Sequence, residues 1–120
     1  MRNPWERAIS NYFSPHRGRQ AWNRAAFARL VEDEIHPVRH FLALPKDDDD
    51  PFGNVDMVIR FESLGVDFAA LCQQLGLPPM DLAVHNRSTR GHYREYYDDG
   101  LVDLVASKYA DEIQLFGYIF

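Results

Sequence analysis

The chain has 120 residues, 46% of them hydrophobic, which is enough for one small core and too apolar for a disordered segment. A net charge of −5 argues against general nucleic-acid binding, and no apolar run reaches bilayer-crossing length or forms an export signal behind Met1. The lone Cys72 excludes an internal disulfide, so a reducing cytoplasm is the expected location.

Asn3-Pro4-Trp5-Glu6 opens the first predicted helix, with Asn3 as N-cap, Pro4 in the first turn and Glu6 placed to close a capping box. Trp5, Ala8, Ile9, Tyr12 and Phe13 recur at helical spacing, and Ser14-Pro15 with Gly18 end the run. A second helix is predicted over 19–35, with Trp22, Ala26, Phe27, Leu30, Val31 and Ile35 inward and Pro37 closing it. Residues 45–54 read as a loop whose aspartate run is a solvated turn, since its ligands lack the spacing of a cation loop.

Val55 to Phe61 is dense in β-branched and apolar residues and reads as a strand covered on both faces. A helix follows with Phe68, Leu71, Cys72 and Leu75 inward, ended by Gly76 and Pro78-Pro79; Cys72 is expected to be buried and inert. Residues 80–94 read as irregular and basic, and a last helix starts near Asp98-Asp99 with Leu101, Val102, Val105 and Tyr109 inward. One domain is expected, without repeats. The fold class is α/β, mostly helical with one clear strand, and one strand cannot make a sheet alone. The sheet is therefore expected to be incomplete, its edge covered by homo-oligomers or by upstream chain.

The charge is uneven: residues 1–40 hold seven of the thirteen basic residues, which suits a small anionic ligand. Arg2 precedes a helix N-terminus and Ser10 lies two turns on, so free N–H groups, the helix dipole and a guanidinium fork together form a candidate phosphate site. An ordinary surface charge is the competing reading of Arg2.

Arg2-Asn3-Pro4-Trp5-Glu6-Arg7 with Ser10 resembles the 3′-phosphate-binding motif of sulfotransferases that use 3′-phosphoadenylyl sulfate (PAPS). Two further blocks, in the order seen in the bacterial and Golgi-type branch, are similar to that family. One is Val58-Ile59-Arg60-Phe61-Glu62-Ser63-Leu64 with Asp67-Phe68. The other is Asn86-Arg87-Ser88 through Tyr93, Tyr96 and Tyr97 to Tyr109, Glu112 and Phe116-Gly117-Tyr118. The resemblance spans residues 2–118. It implies an incomplete P-loop-like sulfotransferase fold beginning at the 3′-phosphate motif, with PAPS or adenosine 3′,5′-bisphosphate as cofactor. Arg2 and Ser10 would bind the 3′-phosphate, with Arg87 and Ser88 as further ligands in a loop folding over the nucleotide. Phe61 is read as a core position, with a place beside the adenine as the alternative, and Arg60 with Glu62 as a structural pair.

No Gly-rich loop for the 5′-phosphosulfate occurs in the sequence, and no catalytic residue is assigned. His36 and His40 are separated by Pro37, which spoils the face a metal pair needs, and His16, His85 and His92 fall in expected loops. The family usually carries Val where Met1 stands, so a valine codon read as a start is expected to have cut this chain from a longer gene. The functional expectation is sulfate transfer from PAPS to a hydroxyl on a glycan or small acceptor, inactive in this chain alone. The alternatives are a non-catalytic nucleotide-binding or self-associating module and a helical adaptor.

Overall fold

The computed structural model describes residues 1–18, 21–42, 52–53, 55–83 and 90–120. Helix α1 spans Pro4–Tyr12 and α2 spans Arg24–Arg29, continuing as a π-turn over Leu30–Glu34. A short α3 at Arg39–Leu42, α4 at Leu64–Gln74, α5 at Asp99–Lys108 and α6 at Ala110–Phe116 complete the order.

The core forms where three amphipathic faces meet. Trp5, Ala8, Ile9 and Tyr12 from α1 pack with Phe27, Leu30, Val31 and Ile35, and with Leu101, Val105 and Tyr109 from α5 and its end. The α1 face read from the sequence is therefore the core face. Polar bonds fix its height: the Trp5 indole donates to Val102 O at 3.1 Å, and the Tyr97 hydroxyl donates to Trp5 O at 2.8 Å. Helix α2 starts at Arg24, later than the predicted 19–35 span, because Asn23 caps it by accepting from the Ala26 N–H at 2.9 Å. Trp22 precedes the helix and packs instead among Tyr12, Phe13, Phe27 and Tyr96.

The α/β reading is overturned. Among the described residues 61% are helical and none forms a strand or sheet. The segment predicted as a strand, 55–61, is extended but meets one neighbouring residue. The Met1 amino group donates to Ile59 O, and the Phe61 N–H donates to Met1 O at 2.6 Å. Two bonds do not make a ladder, and the next donor turns elsewhere. Asp67 accepts from the Arg60 N–H at 2.8 Å and from the Ser63 hydroxyl at 2.9 Å, winding the chain into a 3₁₀ turn at Phe61–Ser63 and then into α4. Apolar residues that a sheet would bury stay partly exposed.

Of the expected inward face of α4, Cys72 alone is buried; Leu75 is 62% exposed, and Val66 on the same helix is 75% exposed. The arm from 55 to 83 thus stands off the core. The Cα radius of gyration, 16.0 Å, exceeds the roughly 13.6 Å of a compact chain of this length. No helix among the described residues is long and apolar enough to cross a membrane.

Helix α5 starts where the sequence places it, with Asp98 accepting from the Leu101 N–H at 2.9 Å. Arg24 grips the same carboxylate through Nε at 2.5 Å and Nη2 at 3.0 Å. The Arg24 hydrogen bond, then the helix N–H, hold the Asp98 carboxyl down at about 2. A depressed folded-state value means that this stabilisation is present above the unfolded carboxylate pKa and fades as pH falls through about 2. Asp98→Asn keeps a capping oxygen but loses the charge. It should lower the melting midpoint at neutral pH and flatten its pH dependence between about pH 4 and 2. Circular-dichroism melts across that range test this; identical pH profiles for the two proteins would contradict it.

Past α6, Gly117 adopts a left-handed conformation (φ 65°) that turns the last residues back over α1. Asn3 Nδ2 donates to Ile119 O at 2.9 Å, and Phe120 packs against Trp5, Tyr93 and Tyr97. The C-terminal motif thereby braces the start of α1.

Candidate functional site: the mouth of helix 1

Arg2 lies just ahead of α1, and Glu6 and Ser10 stand one turn apart on the helix face beside it. The Arg2 guanidinium donates from Nη1 to Ser10 Oγ at 3.0 Å and from Nη2 to Glu6 Oε1 at 2.8 Å. Its Cζ lies 4.2 Å from the centroid of the Phe61 ring, a cation–π contact that supports the planar group from below. The pair proposed from sequence is therefore brought together, held in register by α1 and Phe61.

A second cation joins it, 84 residues beyond Glu6. Arg90 Nη2 donates to the same Glu6 oxygen at 3.3 Å, and its Nη1 donates to Gly91 O at 3.2 Å. Only 9% of the Arg90 side chain is exposed. Arg90 Nε and Arg2 Nε are both buried without a hydrogen-bond partner. Two guanidiniums against one carboxylate leave this cluster with an excess of one positive charge, and its orphaned donors suit an added anion.

The backbone contribution differs from expectation. The N–H groups of Trp5 and Glu6 are already met by Asn3 Oδ1 at 3.1 and 3.4 Å. Glu6 does not close a capping box, because the Asn3 N–H donates instead to Glu62 Oε1 at 2.6 Å. The site is built from guanidiniums and a hydroxyl, with the helix dipole as background.

Other expectations resolve individually. Phe61 is half exposed, so it is a platform for Arg2 and not a core residue. Arg60 and Glu62 do not pair with each other: Arg60 donates to Phe116 O at 3.0 Å, while Glu62 serves Asn3. His36 and His40 are not kept apart by Pro37. Their rings stack at 4.4 Å, an arrangement that does not aim their nitrogens at one point. No group of three or more metal-ligating side chains occurs among the described residues. Arg87 and Ser88, expected as further phosphate ligands, lie outside the described residues, as does His85.

A cleft of about 220 Å³ lies one residue further round α1, beside Arg7 and Asn11. Its arginines face carboxylates, Arg7 with Glu112 at 2.8 Å and Arg17 with Glu34 at 2.6 Å. The charges of this cleft cancel, so the Arg2 cluster, with two guanidiniums to one carboxylate, is the better anion site. Comparison with protein-family models, with curated proteins and with solved structures gives no match.

Proposed function

We propose that this chain binds the 3′-phosphate of a nucleotide such as PAPS or adenosine 3′,5′-bisphosphate, through Arg2, Ser10 and Arg90. The observation that carries the reading is the convergence of two guanidiniums, one of them only 9% exposed, on Glu6 Oε1 beside the Ser10 hydroxyl, near the start of α1. A phosphomonoester offers three charged acceptors, which matches a planar fork, a hydroxyl and orphaned Nε donors. Exposed beside Arg2, Phe61 offers an apolar flank on which a purine can rest.

In this reading PAPS, when bound, supplies an activated sulfate for transfer to a hydroxyl of a glycan or small molecule. The residues named here hold and orient its ribose end and leave the sulfate end unassigned. Arg87 and Ser88 remain proposed ligands from the sequence alone. Binding without turnover is the expected behaviour of the 120-residue chain. Calorimetric titration with adenosine 3′,5′-bisphosphate should show one site per chain. Absence of heat at millimolar ligand would end the reading.

A second reading is favoured by the exposed apolar residues on the 55–83 arm, Val66, Leu75 and Met80 among them: a non-catalytic module that self-associates through this arm. A single monomeric boundary at all concentrations in sedimentation velocity would dispose of it.

A further inference from the structure

Glu6 is the group at this site whose position the phosphate reading leaves unexplained. Its place three residues after Asn3 fits it for closing a capping box, yet Glu62 takes the Asn3 N–H. Released from that task, Glu6 reaches back along α1 and receives hydrogen bonds from both Arg2 and Arg90 on one oxygen. Both terminal nitrogens of Arg2 thereby have acceptors, Ser10 and Glu6, while its Nε is buried. A bidentate grip on a phosphate requires one acceptor to give way. Ser10 is short and fixed to the helix; Glu6 is long, about one quarter exposed, and free to swing outward.

The geometry points to Glu6 as an internal competitor of the nucleotide phosphate: its carboxylate occupies the two guanidiniums and must leave them when the ligand binds. This rests on the phosphate reading above and adds a regulated element to it. Burial works to raise the Glu6 carboxyl, but the hydrogen bond and charge of Arg2, with those of Arg90, outweigh it and hold the group below the usual carboxylate range. Glu6 is therefore ionised at neutral pH and competes as a full charge. The same contact has a second consequence. By bridging Arg2 and Arg90 the carboxylate keeps the two cations together, so the ligand meets a preformed pair.

The test is titration of adenosine 3′,5′-bisphosphate into wild type, Glu6→Gln and Glu6→Asp, with melting curves confirming that each folds. Removing one charged competitor should tighten binding about tenfold in Glu6→Gln. Glu6→Asp, whose shorter arm reaches the guanidiniums less well, should bind more tightly than wild type and less tightly than Glu6→Gln. Saturating wild type should also move the ¹³C resonance of the Glu6 carboxyl as it exchanges two guanidiniums for water. If wild type binds but Glu6→Gln binds equally or more weakly, or if the carboxyl resonance stays still at saturation, this proposal fails while the phosphate reading stands. If none of the three binds, the phosphate reading itself fails, and the competitor role goes with it.

Discussion

Arg2→Ala should weaken the proposed binding of adenosine 3′,5′-bisphosphate by about 30- to 150-fold, the effect of losing about 2–3 kcal/mol of charge-assisted hydrogen bonding. The size follows from the position of Arg2, which donates to Ser10, bears on Phe61 and is the first ligand of the proposed phosphate site. Arg2→Lys should recover only a small part of the loss, because an ammonium keeps the charge but not the planar fork. Arg39→Ala provides the control: this arginine pairs with Asp111 on the surface near α6 and should leave the affinity unchanged. Calorimetry on the three variants separates a specific site from general attraction to cations. Equal losses for Arg2→Ala and Arg39→Ala would contradict a specific site.

Glu112→Ala destabilises the fold by about 3–5 kcal/mol, a large share of the stability of a domain this small. The side chain is 0% exposed, and its carboxylate meets Arg7 Nη2 at 2.8 Å while accepting from the Val38 N–H. Arg7 lies off the hydrogen-bonding direction, so the pair is held by charge and by the guanidinium lying 4.7 Å over the Tyr109 ring. Burial pushes the Tyr109 hydroxyl up to about 12, so the ring stays neutral beneath Arg7. Truncating Glu112 strands the Arg7 charge and orphans the Val38 donor. The melting midpoint should fall by about 10–20 °C. Replacing both partners, Arg7→Met with Glu112→Leu, should restore most of that loss, since two apolar side chains leave no unpaired charge. A double variant as unstable as Glu112→Ala would assign the loss to packing or to the orphaned Val38 donor and not to the stranded charge.

What the sequence revealed depended on how local the determining contacts were. Helix α1 was legible because its signals are short-range: Asn3 accepts from N–H groups two and three residues on, and Trp5, Ala8, Ile9 and Tyr12 share one face. The start of α5 at Asp98 was legible for the same reason. The strand at 55–61 was misread because its apolar, β-branched residues report only an extended, partly covered segment. Whether it becomes a strand depends on neighbours, and here Met1 and Asp67 take its hydrogen bonds. The capping box was misread because Glu62, 59 residues away, takes the Asn3 N–H that a capping box would give to Glu6.

The site divided along the same line. Arg2 and Ser10 were legible as a residue just ahead of a helix and one two turns along it. Arg90 was visible only as one of several cations in a basic stretch, and nothing local distinguishes it from Arg87. Glu112 did carry a readable signal: it continues the buried line of Leu101, Val105 and Tyr109, and an acidic residue on a core face calls for a buried cation. Arg7 was the partner within reach.

The most direct test of a phosphate site at the start of α1 is a ¹⁵N-resolved NMR titration with adenosine 3′,5′-bisphosphate. Saturable shifts should concentrate at the amides of Arg2, Ser10 and Gly91 and at the Nε signals of Arg2 and Arg90, with α5 and α6 little moved. Shifts centred on the Arg7–Asn11 cleft, or none anywhere at saturating ligand, would contradict the account.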